Sequence, residues 1–383
     1  CKAAREGVAI FDQSYFGKFL ITGAEAEKAV DYVATARLDS ENCPPGRVTY
    51  TSFCNEKGGV EADLTVTNLP EGSTHIVGEG GPAYYVAAGG LTATHNLRWL
   101  EKYTKAFDCQ IKDISNDFSM ISIQGPFSRE LLSMCVSDPE STKCLEDVAF
   151  SHAGVITIDG IDMLVLRLTF VGELGFELHC PKDKATQILD QVYAQAEKLS
   201  AEKNVKFADA GYHCIDSLSA EKGYRHWHAD LSNADTPMEA GIGFTVIPTL
   251  KNSKKEFVGK KALEEKREIG LKRKLICLTL DDQAPLHGLE TIHRNGECVG
   301  IVKSTAYGHT IGKTIAYGYV AAEGYQARFE QGKIKDTPDV KDAKITKKWL
   351  TEGDFEIGDK GKMWKAEVHL QAPFDPKNTR INV

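Results

Sequence analysis

Phe170-Val171-Gly172-Glu173-Leu174-Gly175-Phe176-Glu177-Leu178 sets two carboxylates and two glycines into an otherwise apolar, aromatic run. The surrounding residues 162–180 read as a strand pair, with glycine where a turn favours it. A carboxylate held in such a run can bind the amidine-like edge of a heterocycle through paired hydrogen bonds. A plain hairpin accounts for the same residues, and both readings stand at this point.

Working outward, strands and helices alternate without a strict βαβ rhythm, which favours an α+β fold over a doubly wound sheet. Toward the N-terminus, residues 118–124 form a strand ending at Gln124-Gly125-Pro126, with a helix starting at the Pro and Ser128-Arg129-Glu130. A helix is expected from His95 to Phe107. Residues 46–70 carry a hairpin signal, with Gly58-Gly59 permitting the tight turn. Residues 7–23 read as two short strands around Tyr15-Phe16-Gly17, before a helix with Ala26, Ala29, Val30 and Val33 on one face. Toward the C-terminus, Ala185, Ile188, Leu189, Val192, Ala196 and Leu199 share one face of a helix over 183–200. The texture changes near 245. A charged helical stretch to Gly270 is followed by strands with turns at Asp281-Asp282, Asn295-Gly296 and Gly308, which reads as a mostly antiparallel C-terminal domain. The charged stretch 322–363 reads as a surface excursion or a set of edge strands.

Composition excludes several functions. A formal net charge of −8 and the lack of a dense Lys/Arg block argue against nucleic acid as a partner. No run approaches ~20 consecutive apolar residues, so no transmembrane helix is expected. The ten cysteines contain no C-x-x-C pair, which leaves zinc and redox motifs unsupported. Residues Cys1 to Glu6 resemble neither a signal nor a transit peptide, and the lack of an initiator Met suggests a processed or partial chain. A flavin or nicotinamide fingerprint needs G-x-G-x-x-G between a strand and a helix. Gly78-Glu79-Gly80-Gly81 lies in a polar loop before Pro82, and Gly241-x-Gly243 lacks the third glycine.

Two further segments carry chemistry. In Glu61-Ala62-Asp63-Leu64-Thr65-Val66, strand alternation puts Asp63 and Thr65 on one face, where an acid and a hydroxyl can orient an amine-bearing ligand. A solvated edge strand is the simpler account of that segment alone. Residues 215–230 read as a helix that breaks at Gly223 into the aromatic, cationic run Tyr224-Arg225-His226-Trp227-His228. Tyr224 and Trp227 suit stacking on a flat ligand, or ordinary core packing. His226 and His228 lack a third ligand at motif spacing, so no metal is assigned.

Together these segments carry a resemblance to the folate-binding T-protein family of the glycine cleavage system, the aminomethyltransferases. Matching texture runs from Val8-Ala9-Ile10-Phe11-Asp12 through Asn55-Glu56-Lys57-Gly58-Gly59 to Ala372-Pro373-Phe374-Asp375-Pro376. Ser14-Tyr15-Phe16-Gly17-Lys18-Phe19, Leu168 to Gly175 and Glu221 to Leu231 are most similar to the C-terminal half of the sarcosine dehydrogenase branch. The resemblance implies a three-domain cloverleaf around a central folate site. Its first domain would be 1–48 with 135–245, its second 49–134, and its β-rich third 246–383. It also implies that Asp63 is the essential acid, near N10 of the folate, with Tyr50 and Thr65 beside it. Glu177 would grip the pterin, and Phe170 and Tyr224 would line the folate. Arg380 and the lysines of 254–261 are candidates at the rim for a polyglutamate tail.

Phe170, Ile215 and Thr379 stand where T-proteins carry Tyr, Arg and Tyr, departures that suit the dehydrogenase branch. The implied function is capture of the methyl-derived carbon of sarcosine as 5,10-methylenetetrahydrofolate, with glycine released, in the mitochondrial matrix. FAD would sit on a domain or partner not in this chain. The competing functions are a non-catalytic folate-binding, scaffold or regulatory relative, similar to the pyruvate dehydrogenase phosphatase regulatory subunit, and a stand-alone aminomethyltransferase.

Overall fold

The computed structural model describes residues 1–77, 83–252, 254–281, 283–321 and 344–383. The glycine-rich loop at 78–81, the second residue of the Asp281-Asp282 turn and 322–343 of the expected surface excursion lie outside the described residues.

Among the described residues seventeen strands, numbered along the chain, form two open sheets and a barrel. The first sheet has the order β11 (Phe207–Asp209), β1 (Val8–Asp12), β7 (Phe118–Gln124), β10 (Gly175–Pro181), β9 (Ile161–Leu166) and β8 (Ala153–Ile158). Its pairings are antiparallel except β1 with β11. The second sheet is antiparallel, in the order β3 (Val48–Cys54), β4 (Val60–Asn68), β5 (Ala83–Ala88), β2 (Gly17–Thr22) and β6 (Gln110–Asp113). The barrel closes through β12 (Arg273–Leu280), β15 (Lys313–Ala321), β14 (Glu297–Gly308), β13 (Thr291–Arg294), β16 (Phe355–Asp359) and β17 (Lys362–His369).

Alternation along the strands decides what each sheet face covers. In the first sheet Ile121, Ile123, Phe176, Leu178 and Cys180 pack under the helices Ser128–Cys135 and Ala185–Lys203, through Leu131, Leu132, Ile188, Val192 and Leu199. In the second, Ala62, Leu64, Val66, Tyr84 and Val86 pack under Ala26–Val33 and Ala93–Thr104, through Val30, Trp99 and Leu100. The opposite faces meet each other: Leu164 and Leu166 share a core with Leu20, Val48, Tyr85 and Ala87. The N-terminal lobes therefore form four layers, helix, sheet, sheet, helix, and central-strand residues out of phase with the helix-covered positions face the gap between the sheets, whereas Ala9 and Phe11 of β1 are covered by the helix Tyr212–Lys222.

Most expected elements are present, within a few residues at helix ends. The hairpin over 46–70 is β3–β4, with a bulge between Phe53 and Cys54. Two expected domain limits cut across the sheets. β2, assigned with the first domain, lies in the second sheet, and β7, assigned with the second domain, sits inside the first sheet. The chain changes sheets at Gln13–Phe16, where the buried Lys18 ammonium ties the turn by donating to the carbonyls of Ser14 and Phe16, both at 2.9 Å. Short-range pattern does not distinguish such a crossing from a hairpin. The helices Ile247–Asn252 and Lys260–Ile269 also precede the barrel. Val246, Leu250 and Leu263 pack with Cys54 of the second sheet.

Candidate active site between the sheets

Tyr50 and Asp63 sit on adjacent strands β3 and β4, and both face the gap. The Tyr50 hydroxyl donates to Asp63 Oδ2 at 2.8 Å. The exposed Phe244 ring stacks on Tyr50, centroids 5.9 Å apart at 28°. Desolvation pushes the Asp63 carboxyl up to about 6, the Tyr50 bond holds it down in part, and the negative charge of Asp230 raises it further. Tyr50 is itself held well above the usual phenol range, by burial first and then by the Asp63 charge, so it remains a donor. Thr65 follows Asp63 on the same face and pairs across the sheet with Tyr50 on one side and Ala87 on the other.

Glu177 lies across the gap on β10. It is buried, its strand neighbours are Ser122 and Leu166, and no protein group among the described residues donates a hydrogen bond to its carboxylate. His179 Nε2 approaches Glu177 Oε2 at 3.5 Å. Three other buried polar atoms on these two faces lack partners: Gln124 Oε1, Thr67 Oγ1 and His179 Nε2 itself. Buried polar groups are normally paired, so these unpaired ones are open to a polar ligand.

Phe170 and Tyr224 stack at 5.7 Å and 19°, and His226 meets the Phe170 ring edge-on at 4.9 Å. Gly223, at φ 69°, ends the helix Tyr212–Lys222 and turns the chain into this aromatic segment. His226 Nε2 lies 2.8 Å from Ser219 Oγ, and its backbone N–H donates to Asp230 Oδ2 at 2.8 Å. Asp230 also accepts from Ser304 of β14, which ties the barrel to the segment. Asp230 therefore anchors the segment that follows Tyr224, and its charge acts on Asp63. Trp227 donates its indole N–H to the Val60 carbonyl at 2.9 Å and packs with Leu231 and Ala240, so packing explains it without a ligand. Among the described residues no group of three His, Cys, Asp or Glu side chains is placed to hold a metal ion.

Glu173 belongs elsewhere. It is fully buried in a knot with Arg5 at 3.0 Å and with Arg380, whose Nε reaches both of its oxygens at 2.7 Å. Arg5 also binds Glu221 at 2.7 Å. Of the two carboxylates in the 170–178 run, one therefore ties the molecule together and the other faces the gap. Arg380 is engaged by the knot, and Lys255 is paired with Asp31 at 2.9 Å, so each already has an anionic partner within the chain. Ile215 is buried among Ala9, Phe11, Val171 and Leu218. Thr379 donates to Asp375 Oδ1 at 2.7 Å. Sequence reasoning missed Tyr85, His179, Asp230 and Gln124 as site residues. Only the out-of-phase position of His179, two residues after Glu177, was a local signal.

Two packed sheets with a polar gap between them, followed by a closed antiparallel barrel, define an aminomethyltransferase fold. The crystal structure of glycine cleavage system aminomethyltransferase T from Bartonella henselae superposes with a TM-score of 0.75 at 21% identity, over 97% of this chain and 88% of that one. Residues 1–249 match the GCVT N-terminal domain and residues 273–375 the glycine cleavage T-protein C-terminal barrel domain, so the chain belongs to the T-protein family. It is 30% identical to the aminomethyltransferase of Thermotoga maritima, over 83% of this chain and 80% of that protein. It is 40% identical to mitochondrial sarcosine dehydrogenase of Mus musculus over its whole length, and spans 38% of that protein. Against the human sarcosine dehydrogenase the identity is also 40%, over 39% of its length.

Proposed function

We propose that this chain is a folate one-carbon module that holds tetrahydrofolate between its sheets and captures an amine-derived carbon as 5,10-methylenetetrahydrofolate. The observation that carries the reading is the Asp63 carboxylate, held by Tyr50 at 2.8 Å and pushed up to about 6, facing the same gap as the donor-free Glu177. The unpaired buried atoms of Gln124, Thr67 and His179 fit a ligand rich in hydrogen-bonding groups, and the Phe170–Tyr224 pair fits a flat one. Tetrahydrofolate supplies two amines, N5 and N10, that together take up one carbon at the oxidation level of formaldehyde.

The residues act as follows. Glu177 accepts from the amidine-type edge of the pterin and fixes its orientation. Phe170 and Tyr224 hold the flat rings by stacking. Asp63, with Oδ2 occupied by Tyr50, takes up a proton at Oδ1 as the new carbon–nitrogen bond forms near it. Burial, with the Asp230 charge adding to it, keeps Asp63 basic enough for that transfer near neutral pH. Thr65 borders the same pocket.

Similarity to the sarcosine dehydrogenases supports sarcosine as the carbon source, glycine as the product and the mitochondrial matrix as the compartment. In this reading oxidation of sarcosine belongs to an FAD-bearing domain or subunit, and a polyglutamate tail would extend the folate at the pocket's rim. The test is formaldehyde trapping: the chain should speed formation of 5,10-methylenetetrahydrofolate above the spontaneous rate. Asp63→Ala should bind tetrahydrofolate yet trap no faster than buffer. Equal rates for wild type and variant would remove Asp63 from the chemistry.

A further inference from the structure

We propose that His179 is a positioning residue that aims the Glu177 carboxylate at its ligand, and that Tyr85 of the opposite sheet fixes the imidazole for this task. The inference rests on the folate reading above and adds to it two residues on two different sheets.

His179 is fully buried on β10 and shares a face with Glu177. Its Nδ1 lies 2.7 Å from the Tyr85 hydroxyl on β5, and the two rings meet edge-on at 5.2 Å and 89°. This is a side-chain hydrogen bond across the gap between the sheets. Its Nε2 has no hydrogen-bond partner and lies 3.5 Å from Glu177 Oε2. Burial, with the Glu177 charge adding to it, holds the Tyr85 hydroxyl well above its ordinary value, so Tyr85 keeps its proton and can donate to Nδ1. In that arrangement, which the positioning role requires, the imidazole proton is on Nε2, facing the carboxylate. The terminal torsion of a glutamate is soft, and a small rotation turns the 3.5 Å contact into a hydrogen bond.

The surroundings are short of donors. Gln124 donates its amide to Ser122 Oγ at 2.9 Å and to the Leu168 carbonyl at 3.2 Å, which leaves its own carbonyl oxygen unpaired. That oxygen stays in place because residue 175 is glycine: a Cβ there would lie 1.8 Å from it. Glu177 and Gln124 thus offer two acceptors from neighbouring strands, two residues apart in register. His179 is the one donor that approaches this carboxylate among the described residues. With Oε2 held by His179, Oε1 is left for the ligand in one orientation.

The test compares the affinities of tetrahydrofolate and its 2-desamino analogue by isothermal titration. Wild type should strongly prefer the amino form. His179→Asn keeps a polar atom near Nδ1 but loses the donor toward Glu177. It should lose roughly tenfold of that preference while still binding the analogue. His179→Gln places an amide nitrogen near Nε2 and should restore most of it, an outcome that general loosening of the core would not give. Full discrimination by His179→Asn, or equal loss in both variants, would overturn the positioning role. Should the variants fail to fold, nitrogen-15 imidazole spectra of the wild type decide the matter. The Nε2–H tautomer supports the role, and the Nδ1–H tautomer overturns it. Failure of wild type to bind tetrahydrofolate at all would instead sink the folate reading itself.

Discussion

In the proposed function, Asp63 carries a conflict between stability and activity. Its carboxyl is pushed up from 3.8 to about 6, by desolvation first, so between those values the folded state binds more protons than the unfolded one. Stability contributed at this residue therefore declines as pH rises from about 4 through 6, and is level above that. The ionised form costs roughly 1–3 kcal/mol at neutral pH, allowing for its partial exposure. Asp63→Asn removes the charge and should raise Tm at pH 7.5 while abolishing carbon capture. A lowered Tm would contradict the assignment of Asp63 as strained by burial. Tyr50 acts in the opposite direction, because its hydrogen bond lowers the Asp63 value. In Tyr50→Phe the acid limb of the pH–rate profile, expected near pH 6 in the wild type, should move upward. A limb that stays or moves down would show that Tyr50 does not set it. The residue types at this site were legible in the sequence, because alternation aligns Asp63 with Thr65 whatever the partner strands are. The environment that tunes them was not, since Asp230 lies 167 positions away along the chain.

At the scale of elements, the helix Tyr212–Lys222 matters because of how it ends. The N–H of Gly223 donates to the Ala220 carbonyl at 3.2 Å and that of Tyr224 to the Ser219 carbonyl at 3.0 Å, the paired bonds of a glycine-terminated helix. A Cβ at Gly223 would meet nothing closer than 3.7 Å, so Gly223→Ala should cost only backbone strain at φ 69°, about 1 kcal/mol in urea unfolding. A loss well above that would mean the aromatic segment shifts with it. This stop was readable in advance because glycine after a helical run is a local signal. The strand at 118–124 was readable for the same reason, as it ends in Gly-Pro. The sheet change between β1 and β2 was not, because both strands look alike locally and differ only in distant partners. The 170–178 run shows both cases at once. Its strand character and its glycines were plain, but nothing local separates Glu173, held by Arg5 and Arg380, from Glu177, which faces the gap.

At the scale of the molecule, the barrel is tied to the helix that carries the aromatic segment. Tyr317 donates to the Ala220 carbonyl at 2.6 Å, Ser217 to the Tyr307 carbonyl at 2.7 Å, and Ser304 to Asp230. The buried knot of Arg5, Glu173, Glu221 and Arg380 joins the chain's first helix to its last residues around the same helix. These ties fix the barrel and both ends of the described chain against the helix and segment that carry Tyr224, the partner of Phe170 in the aromatic pair. The family resemblance anticipated the aminomethyltransferase fold that brings these parts together, whereas composition and periodicity could not, because it depends on which faces of two sheets meet. Isothermal titration of the purified chain with tetrahydrofolate tests the account at its centre. One-to-one binding in the micromolar range or tighter is predicted, retained by Asp63→Ala and weakened at least tenfold by Glu177→Ala. No heat of binding at high micromolar ligand, or full affinity in Glu177→Ala, would contradict it.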